Sequence, residues 1–147
     1  MVVTKVKQIK SVNKLSEGLK YIEDGAKTIG AELLDSNLNF PVKMVNGKPV
    51  SQLVSGNLII DLESAYSEMM QLKQLANLEK GRPINQEEIG TNEVLAHHVI
   101  QSFSPEDNLT PEQVHEIGRK TALELTGGSH QFVIATHVDK GHLHNHI

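Results

Sequence analysis

The chain lacks cysteine and tryptophan altogether, holds two tyrosines and three phenylalanines, and contains no apolar run near the ~18 residues that cross a bilayer. Each absence excludes something. Without cysteine there are no disulfides and no thiolate metal sites, so any bound metal must use histidine and carboxylate ligands. The same absence fits a reducing compartment, and no signal-peptide segment opens the chain, so the expected location is the cytoplasm. Scarce aromatics leave little surface on which bases of a nucleic acid could stack.

Positive charge is also scarce overall. The formal net charge is −4, which gives no global basic surface. The distribution is uneven, however. Residues 1–48 carry eight lysines against five acidic residues, a balance of +3, whereas residues 49–147 carry six basic against thirteen acidic residues, a balance of −7. A basic face near the N-terminus is therefore one reading, beside the plainer one of solvated lysines on amphipathic elements.

A length of 147 residues suits a single domain, and no repeat or low-complexity linker divides it. The opening MVVTKVKQI alternates with period two, as a half-buried strand does. In SVNKLSEGLKYIEDGAKT, Leu15, Leu19 and Ile22 fall on one helical face, with Ser11 or Asn13 as N-cap and Asp24-Gly25 as a stop. Asn46-Gly47 predicts a hairpin turn, with Pro49 confined to a sheet edge. LVSGNLII reads as a short strand, and residues 61–82 as a helix capped by Asp61 and ended by Gly81-Arg82-Pro83. EVLAHHVIQSF predicts a buried strand.

The next helix has the clearest start in the chain: Thr110 as N-cap, Pro111 behind it, and Gln113 completing a capping box. Val114, Ile117, Leu123 and Leu125 supply its apolar surface, and Gly127-Gly128 stop it. QFVIATHVD and HLHNHI then read as neighbouring strands. The order of elements predicts an α+β fold, a mainly antiparallel sheet with helices packed on it.

Histidine is the residue present in excess: eight in all, four of them in the closing HVDKGHLHNHI. Folding this stretch as a hairpin about Lys140-Gly141 pairs His137 with His144 and Ala135 with His146. Directly paired residues share a face, and strand residues alternate faces. His137, Asp139, His142, His144 and His146 then stand on one side, with Val138, Leu143 and Ile147 turned to the core. Three imidazoles so gathered make a divalent-metal site. Accidental clustering, a structural metal clip and an iron triad built on His137 and Asp139 are the competing readings. His97 and His98 are adjacent on a strand, so at most one of them can approach any site. His115 and His130 read as surface residues.

The run HVDKGHLHNHI fits the pattern H-x-D-x-x-x-x-H-x-H, and with AHHVIQSFSPEDNLTPEQVHEIG upstream and LKYIEDGAKT near the N-terminus it resembles the relaxases and mobilisation nucleases. These are the His-hydrophobe-His endonucleases of conjugative and mobilisable elements. The resemblance covers most of the chain, loosely over residues 35–90. It implies a fold of the relaxase type and a metal-dependent enzyme that nicks one DNA strand at a transfer origin. In such enzymes a tyrosine becomes linked to the 5′ phosphate and a 3′ hydroxyl is released. It implies Tyr21 as the nucleophile, with Lys27-Thr28 following it. It also implies Mg²⁺ or Mn²⁺ as the metal, single-stranded DNA as substrate, and accessory relaxosome and coupling proteins as partners.

The residues support the same roles. Tyr66 belongs to the central helix and reads as packing. Tyr21 lies about 240° around the wheel from Leu15, off the apolar stripe, and about 20° from Lys14. A tyrosine beside a lysine suits a nucleophile meeting a phosphate, while an interface tyrosine is the plainer alternative. A metal on His137, His144 and His146 would polarise that phosphate, and Asp139 would orient a ligand histidine from behind. Because the family pattern continues through further strands and helices, residues 1–147 are expected to be an N-terminal nuclease domain cut short inside a core strand. The alternative is an inactive remnant that binds metal or DNA without cutting.

Overall fold

A computed structural model describes residues 2–22, 29–32, 42–45, 48–60, 62–82, 94–138 and 141–147. Its elements follow the predicted order: β1 (Val2–Ile9), α1 (Val12–Ile22), β2 (Ile29–Glu32), β3 (Val42–Val45), β4 (Lys48–Gln52), β5 (Val54–Asn57), α2 (Ala65–Glu79), β6 (Ala96–Phe103), α3 (Pro111–Thr126), β7 (Phe132–His137) and β8 (His144–His146). Short 3-10 turns precede α2 and α3 at Leu62–Ser64 and Pro105–Asp107. The fold is α+β: five antiparallel strands in the order β1-β6-β8-β7-β5 form the central sheet. No helix among the described residues is long and apolar enough to cross a membrane.

Helices cover both faces of that sheet. Leu15 and Leu19 of α1 and Ala65 and Met70 of α2 pack with Val54, Val133 and Ala135 on one face, and Tyr66 packs against the same cluster. Ala122 and Leu123 of α3 pack with Phe132, Ile134 and Ile147 on the other. Strand β7 is consequently buried at every position, as expected where both sides of a strand are covered. Leu15 and Leu19 of the predicted α1 stripe are buried and the Ser11 cap is present, the Lys14 amide reaching Ser11 Oγ at 3.5 Å; the side chain of Ile22 lies outside the described residues. At α3 the capping box closes as predicted, with Gln113 N–H donating to Thr110 Oγ1 (3.2 Å) and Thr110 N–H to Gln113 Oε1 (2.9 Å).

Four expectations need correction. β1 is an edge strand with Val2, Val3 and Val6 all exposed, because only β6 adjoins it. β6 is buried only at Val99, Gln101 and Phe103, the face toward α3. Leu125 is 68% exposed, since the buried face of α3 is instead Val114, His115, Gly118 and Ala122. Pro49 lies on β4, the middle strand of a three-stranded sheet ordered β2-β4-β3, where it pairs with Met44. Its missing N–H is tolerated because the last β2 residue paired with β4 is Glu32, opposite Val50.

The hairpin that Asn46-Gly47 predicts is present in register, Val45 pairing with Lys48. The turn residues themselves, with Asp24-Gly25, Lys27-Thr28, Asp61, Pro83, Asp139 and Lys140, lie outside the described residues.

Candidate active site

Strands β7 and β8 pair as Ala135↔His146, Thr136↔Asn145 and His137↔His144. This is the register that a two-residue loop predicts. It places His137, His144 and His146 on the face carrying α1 and α2, all three buried. Each offers one ring nitrogen, and these atoms lie within 4.8 Å of one another. The centroids of His137 and His146 are 4.2 Å apart, and His144 is 5.0 Å from each. Three neutral imidazoles at this spacing form a donor set that suits a divalent ion.

Two further side chains close on this group. Tyr21, in the last turn of α1, stands against it, with its ring edge-on to His137 (5.4 Å) and His146 (5.8 Å). Tyr21 is 45% exposed, so it borders the cluster while remaining partly open to solvent. His98 of β6 shares a 2.8 Å hydrogen bond between its Nε2 and Nδ1 of His146. Its pKa is held below the ordinary histidine value, first by burial and then by the charges of Lys7 and His137. Sequence reasoning left His98 without a role. The signal was its i, i+2, i+4 relation to Ile100 and Ser102, which pair with His146 and His144. His142 is exposed, its ring 5.3 Å from that of His144.

The opposite face of the same strands carries a buried polar network whose proton directions are determined from its two ends. The Val114 carbonyl can only accept, so it takes a proton from Asn145 Nδ2 (2.8 Å). Asn145 Oδ1 therefore accepts from Thr136 Oγ1 (2.6 Å), and Thr136 in turn accepts from His115 Nδ1 (2.9 Å). His115 Nε2 is left to accept from Ser55 Oγ (2.7 Å). At the other end the Ile117 carbonyl takes the Thr121 hydroxyl proton (2.8 Å), Thr121 accepts from Gln101 Nε2 (3.4 Å), and Gln101 Oε1 accepts from Asn145 (3.1 Å). Of the two neutral tautomers of His115, only Nδ1–H supplies the proton that Thr136 Oγ1 accepts. Burial favours the neutral form, lowering its pKa to about 4.

The expectation that His115 is a surface residue is therefore overturned; it is fully buried. The signal for it was helical spacing, because His115, Gly118 and Ala122 recur at i, i+3 and i+7. Gly118 matters sterically: a Cβ there would stand 2.5 Å from Asn145 Nδ2. Only glycine lets α3 approach β8 this closely. Thr136 and Asn145 are a directly paired residue couple between the two histidine rows, so the network opposes a one-residue slip that would turn every histidine to the wrong face. His130 is exposed, as expected.

Comparison with known proteins agrees with this geometry. The relaxase family described as "MobA/VirD2-like, nuclease domain" matches residues 43–147. The group II intron-interrupted relaxase LtrB of Lactococcus lactis subsp. cremoris is 44% identical over 162 aligned residues, covering 100% of this chain and 29% of that protein. A protein named rlx from Staphylococcus aureus is 38% identical over 87 residues, covering 59% of this chain and 23% of its own length. The chain thus spans under a third of the length of these curated relatives. No solved structure matches it. A histidine-faced antiparallel sheet, a match over residues 43–147 and an alignment along its whole length together show that this chain belongs to the MobA/VirD2-like relaxase family.

Proposed function

We propose that this chain is the nicking part of a relaxase, a strand-specific DNA endonuclease that cuts at a transfer origin in conjugation or mobilisation. In this reading Tyr21 is the nucleophile. One observation carries the assignment: Tyr21 lies edge-on to both His137 and His146, although more than a hundred residues separate them in sequence.

His137, His144 and His146 would hold a divalent ion, which when bound supplies Lewis-acid polarisation of a phosphate oxygen. Of the two expected ions, Mn²⁺ suits an all-imidazole set better than Mg²⁺, which prefers oxygen ligands. The Tyr21 oxygen forms a bond to the scissile phosphorus as the bond to the 3′ oxygen breaks. The phenolic proton leaves to solvent on the exposed side, and a proton is taken up by the departing 3′ oxygen. Neutral imidazole is the form that offers a lone pair to a metal. His98 acts through His146: by accepting from Nδ1–H it keeps Nε2 of His146 available as a ligand atom. Asp139 is assigned the corresponding outer role toward the histidine cluster. Single-stranded DNA is the substrate, accessory relaxosome and coupling proteins are the partners, and the cytoplasm is the working compartment.

The test is a covalent adduct assay with an oligonucleotide carrying the element's own transfer origin and Mn²⁺ or Mg²⁺. A protein–DNA band that resists denaturation is expected for the natural chain and absent for Tyr21→Phe, with the far-ultraviolet circular dichroism of the two unchanged. An adduct that persists in Tyr21→Phe removes the nucleophile assignment. Metal and DNA binding with no adduct from either protein would identify a non-cutting remnant.

A further inference from the structure

The positive charge gathered near the N-terminus has a defined place on the sheet. Residues of β1 alternate, so Val3, Lys5, Lys7 and Ile9 share one face, and Val2, Thr4, Val6 and Gln8 share the other. Register decides which face is which. Lys5 pairs with Ile100, Ile100 pairs with His146, and Lys7 pairs with His98. Both lysines therefore stand on the histidine face, Lys5 in the cross-strand row of His146 and Lys7 in that of His98. With neighbouring strands roughly 4.8 Å apart, the Lys5 backbone is about 10 Å from that of His146, within reach of a lysine side chain and one nucleotide between them.

Three observations make this row a path for a strand and not a solvated edge. Lys5 and Lys7 are exposed, and β1 and β6 together contain no acidic residue. Lys7 is the direct cross-strand partner of His98, and His98 is hydrogen-bonded to His146. Half-buried Ile100, opposite Lys5, and exposed Val3, two residues before it, add apolar surface beside the charges. We propose that Lys5 and Lys7 form a phosphate track that guides single-stranded DNA across β1 and β6 to the Tyr21–histidine site. The proposal rests on the nuclease reading above. It also accounts for the shortage of aromatics: with few rings to stack on, binding is mainly electrostatic and thus strongly salt-dependent.

The experiment compares Lys5→Gln/Lys7→Gln with Lys80→Gln/Lys120→Gln, which removes the same charge from exposed positions at the C-cap of α2 and on α3. Binding of a labelled oligothymidylate to the metal-free 147-residue chain is followed by anisotropy across a salt series. Removing one lysine that neutralises a phosphate lowers the salt slope by about 0.7, so the Lys5/Lys7 pair should lower it by about 1.4, or roughly 25-fold in affinity over a tenfold salt range. The control pair should keep the natural slope. Equal slopes for the two pairs overturn the track while leaving the nuclease reading intact. Failure of the natural chain to bind the oligonucleotide overturns both. A lowered slope with an adduct that survives Tyr21→Phe keeps the track and removes only the nucleophile.

Discussion

The two faces of the central sheet bury histidine for opposite purposes. On the α1 and α2 face, His137, His144 and His146 bring ring nitrogens together within 4.8 Å, with Tyr21 open to solvent above them. On the α3 face, His115 has both ring nitrogens engaged, by Ser55 and by Thr136, inside a network in which each proton has one direction. The first arrangement gathers ring nitrogens at a spacing that suits an ion. The second consumes hydrogen-bonding capacity to hold the strands in register. The same residue type is thus a candidate ligand on one side and a structural clamp on the other.

Acid should break the clamp first and gives the largest expected effect. The pKa of His115 is lowered from 6.5 to about 4, so the unfolded chain binds more protons than the native one between those values. The contribution to stability is complete above pH 6.5 and is lost as pH falls toward 4, a loss of about 3 kcal/mol. Denaturant titrations at stepped pH should show this fall in the natural chain, and His115→Gln should flatten that part of the profile. Parallel profiles for the two proteins would mean that His115 is not buried neutral.

On the other face, His98→Ala should weaken Mn²⁺ binding by about 10–100-fold through loss of the group that orients His146. His98→Gln retains an acceptor and should recover part of that loss. Calorimetry on the metal-binding step reads both, and an unchanged affinity in His98→Ala would detach His98 from the site. The smallest effect lies on the α3 face. Gly118→Ala should cost about 1–2 kcal/mol, since overpacking against Asn145 exceeds the roughly 1 kcal/mol gained in helix propensity. In an Asn145→Ala background the same substitution should turn stabilising, and a double-mutant cycle of thermal unfolding checks the change of sign.

Much of this was legible in the residues because it is local. Thr110, Pro111 and Gln113 specify a helix start within four positions, and the spacing around Lys140-Gly141 sets which histidines pair. Tyr21 was legible as a residue off its helix's apolar stripe. His98 and His115 were not, because their meaning comes from strands and helices distant in the chain. His98 meets His146 across 48 positions, and His115 meets Ser55 across 60. The lysines of β1 were visible as charge, but their face was not, since alternation divides a strand into two faces without saying which one meets the site.

What the sequence determined by itself was the order of elements, the N-caps of α1 and α3 and the hairpin that sets three histidines side by side. Short-range periodicity and turn chemistry act within a few residues, so they can be read without a fold. Only the tertiary structure decided which side of the sheet those histidines face, that Tyr21 stands over them, and that a buried polar network locks them from behind. Those outcomes depend on β8 lying between β6 and β7 with helices on both faces, a long-range arrangement that no local pattern encodes.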